Sequence, residues 1–233
     1  EIEHIAGKIV ELVRDDELRY KDISIITKNL DDYASLAKAI FAKYDIPIFI
    51  DKKKDLSQDI LIKYVLAILE IFARNWDYEA VINYIKLGFC DITDEEIFKV
   101  ENYARHWGIK YNKWYSKDWT IGEDIVDLNR IRKLIVKPLL NFKNNLEGKK
   151  TVKQITRILY QFLTQNNIQE KLISKAEQLE NSEEIKSEYI ASWNLLMEIL
   201  DEIVLIFGDD EISFEKYAQT LKIAFSENNL GAI

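Results

Sequence analysis

The chain has 233 residues, of which 48% are hydrophobic and 31% are charged, a composition typical of a folded globular chain rather than a disordered one. Seven glycines and two prolines are few for this length, so long helices are favoured over a many-stranded sheet. The formal net charge of -8 argues against an autonomous, strongly basic nucleic-acid-binding module, although it leaves room for a local basic groove.

The first fifty residues predict a small α/β unit. Apolar residues recur at helical spacing from Glu1 to Arg14, and the β-branched run Ile23–Thr27 predicts a short strand. A helix is predicted from Tyr33 to Tyr44, and a second strand from Ile46 to Ile50. Because a helix separates the two strands, we expect them to pair in parallel with a right-handed crossover.

The rest of the chain predicts helices. Thr93 and Glu96 form a T-x-x-E capping box at the start of one helix, and another is predicted from Ser182 to Phe207. Pro138 lies inside the helical pattern of Asp124–Leu146, and because proline removes a hydrogen-bond donor we expect a kink or two helices there. The predicted fold class is therefore mainly α with a small α/β portion.

The sequence offers no residues for a self-contained active site. Its glycines are isolated, so no phosphate-binding loop is predicted, and His4 and His106 lie far apart along the chain. Cys90 is alone, so we expect no disulfide and no metal site within the chain. No run of about 18 apolar residues could span a bilayer, so no membrane association is expected. Glu1 stands in place of an initiator methionine, which suggests a piece of a larger, soluble protein.

Lys28 stands where the first predicted strand ends. In α/β folds ligands bind at the carboxyl ends of strands, so a cation at this position could meet a phosphate group. The alternative is a solvated lysine in a β–α loop, and the residues alone favour that alternative.

Three stretches carry a resemblance to a known family. Residues 23–71 read ISIITKNLDDYASLAKAIFAKYDIPIFIDKKKDLSQDILIKYVLAILEI, residues 75–89 read NWDYEAVINYIKLGF, and residues 101–115 read ENYARHWGIKYNKWY. They resemble the start of the second RecA-like core domain of UvrD/Rep-type superfamily-one helicases. They are more similar to the AddB (RexB) subunit of bacterial AddAB-type ATP-dependent helicase/deoxyribonucleases. The resemblance covers residues 1–115 strongly and the remainder more weakly.

The resemblance implies a domain organisation. Residues 1–54 would be a partial RecA-like portion of the second helicase core domain, residues 55–225 a helical insertion, and residues 226–233 a return segment towards the core. In this family the Walker loop, the nuclease motif and the iron–sulfur cysteines lie elsewhere. The resemblance therefore implies that ATP, Mg²⁺ and a 4Fe-4S cluster bind outside this chain, with no cofactor inside it.

The resemblance also implies a role. The parent enzyme would unwind and degrade duplex ends and single strands of DNA in the cytoplasm, in double-strand break repair and recombination, with an AddA-type helicase–nuclease subunit as partner. In active relatives a tyrosine and an arginine occupy the positions of Thr27 and Lys28 and contact the nucleotide. Threonine cannot stack on adenine, and lysine lacks the arginine fork. We therefore expect a degenerate nucleotide site, DNA scanning rather than motor activity, and no catalysis by this chain alone.

Two segments are candidates for DNA contact, because phosphates require cations and unpaired bases stack on aromatic rings. The segment Arg130–Lys153 contains a single acid, Glu147, among its cations. The segment His106–Trp119 interleaves aromatic and basic residues. The candidate side chains are Arg130, Arg132, Lys133, Lys137, Trp114 and Trp119. The alternatives are a solvated helix face for the first segment and a core aromatic cluster for the second, and the residues alone favour these alternatives.

Two other functions remain open from the sequence. One is a helical protein–protein interaction scaffold with no nucleic-acid role, and the other is part of a working UvrD-like helicase. An exposed, unpaired edge at Ile23–Thr27 would favour the helicase origin, whereas a closed helical bundle that buries this run would favour the scaffold. An upstream G-x-x-x-x-G-K-[ST] motif would indicate the working helicase.

Overall fold

The computed structural model describes residues 1–50, 54–179 and 181–230. Within these ranges the chain is mainly helical, which confirms the predicted class at that level. The helices are α1 (Ile2–Asp15), α2 (Leu30–Lys43), α3 (Ile60–Ala73), α4 (Tyr78–Lys86), α5 (Asp94–His106), α6 (Ile125–Asn145), α7 (Val152–Gln165), α8 (Ile168–Glu177), α9 (Ser182–Phe207) and α10 (Phe214–Glu227). Short 3₁₀ turns occur at Tyr20–Asp22, Leu56–Gln58 and Tyr111–Trp114.

The strands of the described ranges are two residues long and form two pairs. They are β1 (Lys54–Asp55), β2 (Lys150–Thr151), β3 (Glu211–Ile212) and β4 (Asn229–Leu230). Strand β1 pairs with β4, and β2 pairs antiparallel with β3 so that Lys150 lies opposite Ile212. None of these pairs was predicted, because two-residue strands have no periodicity to detect.

The chain divides into two compact units, of which the first comprises Glu1–Lys54. In it α1 packs on α2, and their shared core contains Ile2, Ala6, Ile9, Ile40, Phe41 and Ile46. The RecA-like identity of this unit stays a prediction. So does the return segment 226–233, whose last three residues lie outside the described ranges.

The parallel strand pair predicted at Ile23–Thr27 and Ile46–Ile50 is not found. Neither run is a strand in the structure. Ile23 donates its backbone N–H to Tyr20, and Ile46 donates to Phe41, so these bonds close turns rather than a ladder. The prediction failed because a β-branched run favours extended backbone, whereas a strand also requires a neighbouring strand to accept its hydrogen bonds.

The second unit begins at Asp55 and is built around α3. This helix is buried on nearly all sides, and it packs against α4, α9 and α10. Asp59 starts the helix by accepting hydrogen bonds from the backbone N–H groups of Leu61 (2.8 Å) and Ile62 (3.2 Å). Its other carboxylate oxygen accepts a bond from Ser192 in α9 at 2.6 Å. One buried carboxylate therefore both caps the central helix and joins it to α9.

Two local predictions in this unit can be compared with the structure. The Thr93–Glu96 capping box is confirmed, with both reciprocal hydrogen bonds present at the start of α5. Pro138 lies inside one continuous helix, α6, and not between two helices. No helix in the described part of the chain is both long and apolar enough to cross a membrane.

Candidate nucleic-acid interface

The two segments predicted to contact DNA pack against each other. Arg132, in α6, donates from Nη1 to the carbonyl oxygen of Trp114 at 2.8 Å, and its Nη2 pairs with Asp118. The guanidinium also lies over the ring of Trp119, 5.8 Å from its centroid. Helix α6 and the loop that follows α5 therefore form one surface, although they are two separate stretches in the sequence.

Asn129 fixes the loop on α6 through two backbone hydrogen bonds. Its Oδ1 accepts from the N–H of Trp119, and its Nδ2 donates to the carbonyl oxygen of the same residue, both at 2.8 Å. The indole Nε1 of Trp119 donates to the carbonyl oxygen of Lys113 at 3.0 Å. Because these bonds lie in a partly buried setting, they hold the loop in one conformation.

The predicted stacking residues Trp114 and Trp119 lie in the core. Their side chains are 0% and 7% exposed, and Trp119 stacks on Tyr103 with ring centroids 4.6 Å apart. In this conformation neither indole offers a face to a base, as the core alternative anticipated. Sequence reasoning missed the aromatic residues that are accessible in the same segment: Trp107 is 39% exposed and Tyr111 is 44% exposed.

The predicted cations of α6 fall into two groups. Arg132 is buried and supports the loop, whereas Arg130 is exposed but pairs with Asp127 at 2.9 Å and with Glu96. The guanidinium of Arg130 lowers the pKa of Glu96 below its usual value. Both arginines therefore have acidic partners within the protein, and neither charge is free for a phosphate.

Lys133 and Lys137 are exposed and lie one turn apart on α6. Lys133 contacts Asp118 at 3.0 Å and, ahead of Arg132, lowers the pKa of that carboxyl group. Lys137 has no acidic partner among the described residues.

Two further lysines extend this surface. Lys143 is exposed and lies over the ring of Tyr115, 5.1 Å from its centroid, and Lys117 is exposed between Tyr115 and Asp118. Neither forms an ion pair with a carboxylate that the structure describes. We call Lys117, Lys133, Lys137 and Lys143 the basic surface.

Thr27 and Lys28 lie in the first unit, in a segment that the structure does not form into a strand. Lys28 is exposed just before α2, and the Thr27 hydroxyl accepts a hydrogen bond from the N–H of Asn29 at 3.3 Å. Thr27 also lines an apolar groove of about 1020 Å³ between α1, α2 and the runs Ile23–Thr27 and Ile46–Ile50. The surroundings of Thr27 on the groove side are thus mainly hydrocarbon.

No three His, Cys, Asp or Glu side chains converge as a metal site within the described ranges. The locations of ATP, Mg²⁺ and an iron–sulfur cluster in a parent enzyme stay predictions, and the residues present here supply no ligand set from which to derive a step.

Comparison with known proteins gives the family context. No family model matches the chain. The whole chain is 36% identical to part of the B-subunit of the ATP-dependent helicase/deoxyribonuclease of Caldanaerobacter subterraneus subsp. tengcongensis, over 249 residues. The resemblance to AddB-type subunits is confirmed.

Other proteins of the same name match over the same extent. The one from Acetivibrio thermocellus is 36% identical over 250 residues, and the one from Clostridium novyi is 34% identical over 238 residues. In each case the match covers 100% of this chain. The chain spans about 22% of the length of the first two relatives and 21% of the third, so it matches one segment of each of these proteins.

Proposed function

We propose that this chain is part of the helicase-like region of an AddB-type subunit, and that its helical second unit contacts DNA through the basic surface. The parent would be an ATP-dependent helicase/deoxyribonuclease that acts on duplex ends and single strands during double-strand break repair and recombination, beside an AddA-type partner in the cytoplasm. The observation that carries this proposal is the match over the whole chain to proteins named as the B-subunit of such an enzyme.

The charge distribution supports DNA contact by the basic surface. The chain as a whole carries a net charge of -8, so a cluster of exposed lysines stands out against an acidic background. Of its four members, Lys133 alone contacts a carboxylate among the described residues, and it shares Asp118 with Arg132. Ammonium groups without a protein counter-ion are available to replace the counter-ions of a phosphate backbone.

A lysine-substitution experiment tests this role. The variant Lys133→Ala/Lys137→Ala/Lys143→Ala should weaken binding of labelled DNA and lower the dependence of log K on log salt by roughly one for each phosphate interaction that the substitutions remove. The control, Lys216→Ala/Lys222→Ala, removes two exposed lysines from α10, and Lys133→Ala/Lys137→Ala is the variant of equal charge to compare with it. Equal affinities and equal salt slopes for the two variants would remove the basic surface from the proposal.

The first unit supports a RecA-like origin through its exposed apolar runs. Ile26 is 95% exposed, and Ile23–Thr27 lies along the open groove instead of inside a closed bundle. A scaffold built as a closed helical bundle would bury this run, so its exposure favours the helicase origin. We propose that other strands of the parent subunit cover it. Backbone amides of this run should exchange with solvent much more slowly in the full-length subunit than in this chain, and equally fast exchange would contradict the proposal.

The nucleotide site at Thr27 and Lys28 is proposed to be degenerate. Neither residue can reproduce the stacking and the two-pronged phosphate contact attributed to active relatives, and Thr27 faces an apolar groove. The variant Lys28→Ala should leave DNA degradation by the parent enzyme almost unchanged. A large loss of activity would show that Lys28 takes part in the motor.

A further inference from the structure

Two exposed aromatic side chains lie on the loop after α5, within four residues of each other. Trp107 ends α5, and Tyr111 begins the 3₁₀ turn that follows. Trp107 is the one substantially exposed tryptophan of the five in the chain, all of which the structure describes. Large exposed rings of this kind are typical of surfaces that bind a ligand or a partner.

Backbone hydrogen bonds hold the main chain that carries the two rings. The N–H of Tyr111 donates to the carbonyl oxygen of Trp76 at 2.7 Å, which fixes a residue whose backbone lies in the left-handed region (φ 59°). The N–H of Ile109 donates to Ala104 at 2.8 Å and closes the turn after Trp107. A ring presented from a fixed backbone loses little conformational freedom when it binds.

Two lysines place positive charge beside the rings. The Lys110 ammonium lies over the Tyr111 ring, 5.4 Å from its centroid, and Lys113 donates to the carbonyl oxygen of Gly108 at 3.3 Å. Residues 107–117 contain no Asp or Glu, and neither lysine pairs with a carboxylate that the structure describes. We call Trp107, Lys110, Tyr111 and Lys113 the aromatic patch.

We propose that the aromatic patch binds single-stranded DNA, with Trp107 and Tyr111 stacking on unpaired bases and the two lysines contacting the adjacent phosphates. The proposal rests on the proposed function, because it assigns a ligand class to the surface that the second unit offers to DNA. Single strands fit the patch better than duplex, since a base inside a duplex already has both of its faces stacked. Arg132 joins the same loop to α6 through Trp114 and Asp118, so the patch and the basic surface lie on connected segments of the second unit.

Binding of labelled oligothymidylate of about 16 nucleotides, compared with a duplex of the same length, tests the stacking. Trp107→Ala and Tyr111→Ala should each weaken single-strand binding at least about fivefold and leave duplex binding unchanged. Trp107→Phe and Tyr111→Phe keep an aromatic face and should retain single-strand affinity. Circular dichroism spectra and melting temperatures of all four variants verify that each one is folded.

Tryptophan fluorescence gives a second, independent readout. Because the other four indoles are buried, saturating single-stranded DNA should quench the emission of Trp107, and Trp107→Phe should lose this quenching while it retains binding. An oligonucleotide with the same backbone but without bases should bind without quenching. Quenching that persists in Trp107→Phe would overturn the stacking assignment.

The remaining outcomes separate the two proposals. If the alanine variants of the rings bind single strands like the wild type while the triple lysine variant binds weakly, stacking is refuted and the DNA-contacting role stands. If the wild-type chain binds neither single strands nor duplex at low salt, both proposals are refuted. If the aromatic patch bound a protein partner instead of DNA, either the ring variants would bind single strands like the wild type or the chain would bind no DNA.

Discussion

Replacement of Arg132 by methionine is the sharpest test of how the loop after α5 is supported. Arg132 is the buried residue that joins α6 to the loop, through the Trp114 carbonyl oxygen and the Asp118 carboxylate. Methionine retains most of the apolar stem and removes every donor. Arg132→Lys is the matched variant, because it retains the charge and the stem but loses the planar fork.

The magnitude follows from the hydrogen bonds that the substitution removes. The Trp114 carbonyl oxygen would be left buried without its donor, which costs about 1–3 kcal/mol. The ion pair with Asp118 adds little, because that carboxylate is half exposed and water screens it. We therefore expect Arg132→Met to lower the free energy of unfolding by about 1–3 kcal/mol, with a melting temperature lower by about 2–12 °C. Arg132→Lys should lose about half as much, since one ammonium can reach either acceptor but not both.

Thermal and urea unfolding monitored by near-ultraviolet circular dichroism suits this test, because Trp114 and Trp119 lie beside the substituted side chain. Lys137→Met, on the exposed side of the same helix, should have the same melting temperature as the wild type. A melting temperature for Arg132→Met equal to that of Lys137→Met would refute the view that Arg132 holds the loop on α6.

Three further predictions concern the core of the second unit. Asp59→Ala should lower the free energy of unfolding by about 1–2 kcal/mol, because α3 loses its N-cap. Asp59→Ser keeps a capping oxygen, so in urea unfolding it should lose much less stability than Asp59→Ala. Tyr217→Phe should lower the free energy of unfolding by about 1–2 kcal/mol, since the buried Thr156 hydroxyl loses its 2.9 Å partner. If that unpaired hydroxyl is the cause, the double variant Thr156→Val/Tyr217→Phe should be more stable than Tyr217→Phe alone. Burial raises the pKa of the Cys90 thiol to about 12, so the unfolded chain releases this proton first as the pH rises above about 8.5. The urea midpoint should therefore fall between pH 7.5 and pH 9.5 in the wild type and stay level in Cys90→Ala, and a parallel fall in both proteins would exclude Cys90 as the cause.

The candidate interface was partly predictable, and the reason differs from residue to residue. Lys137 could be identified because an isolated cation on a helix face is exposed in most folds. Arg132 belongs to the same charged run, yet it is buried, because its position on α6 faces the loop. No local pattern separates these two side chains, since the difference lies in what packs against the helix.

Features that depend on near neighbours in the chain could be predicted from the order of amino acids. These include the helical class, the Thr93–Glu96 capping box and, through identities along the whole length, the relation to AddB-type subunits. Capping and helical periodicity act within a few residues, so their signals are local and complete in the sequence.

The accessibility of each aromatic ring and the formation of strands depend instead on tertiary packing. Trp107 is exposed and Trp119 is buried in the same loop, because Asn129 and Arg132 of α6 and Tyr103 of α5 contact Trp119. The run Ile23–Thr27 has the composition of a strand but has no paired neighbour among the described residues. Burial and β-pairing both require residues that are distant in the chain, and that is why the fold, and not the local sequence, determines them.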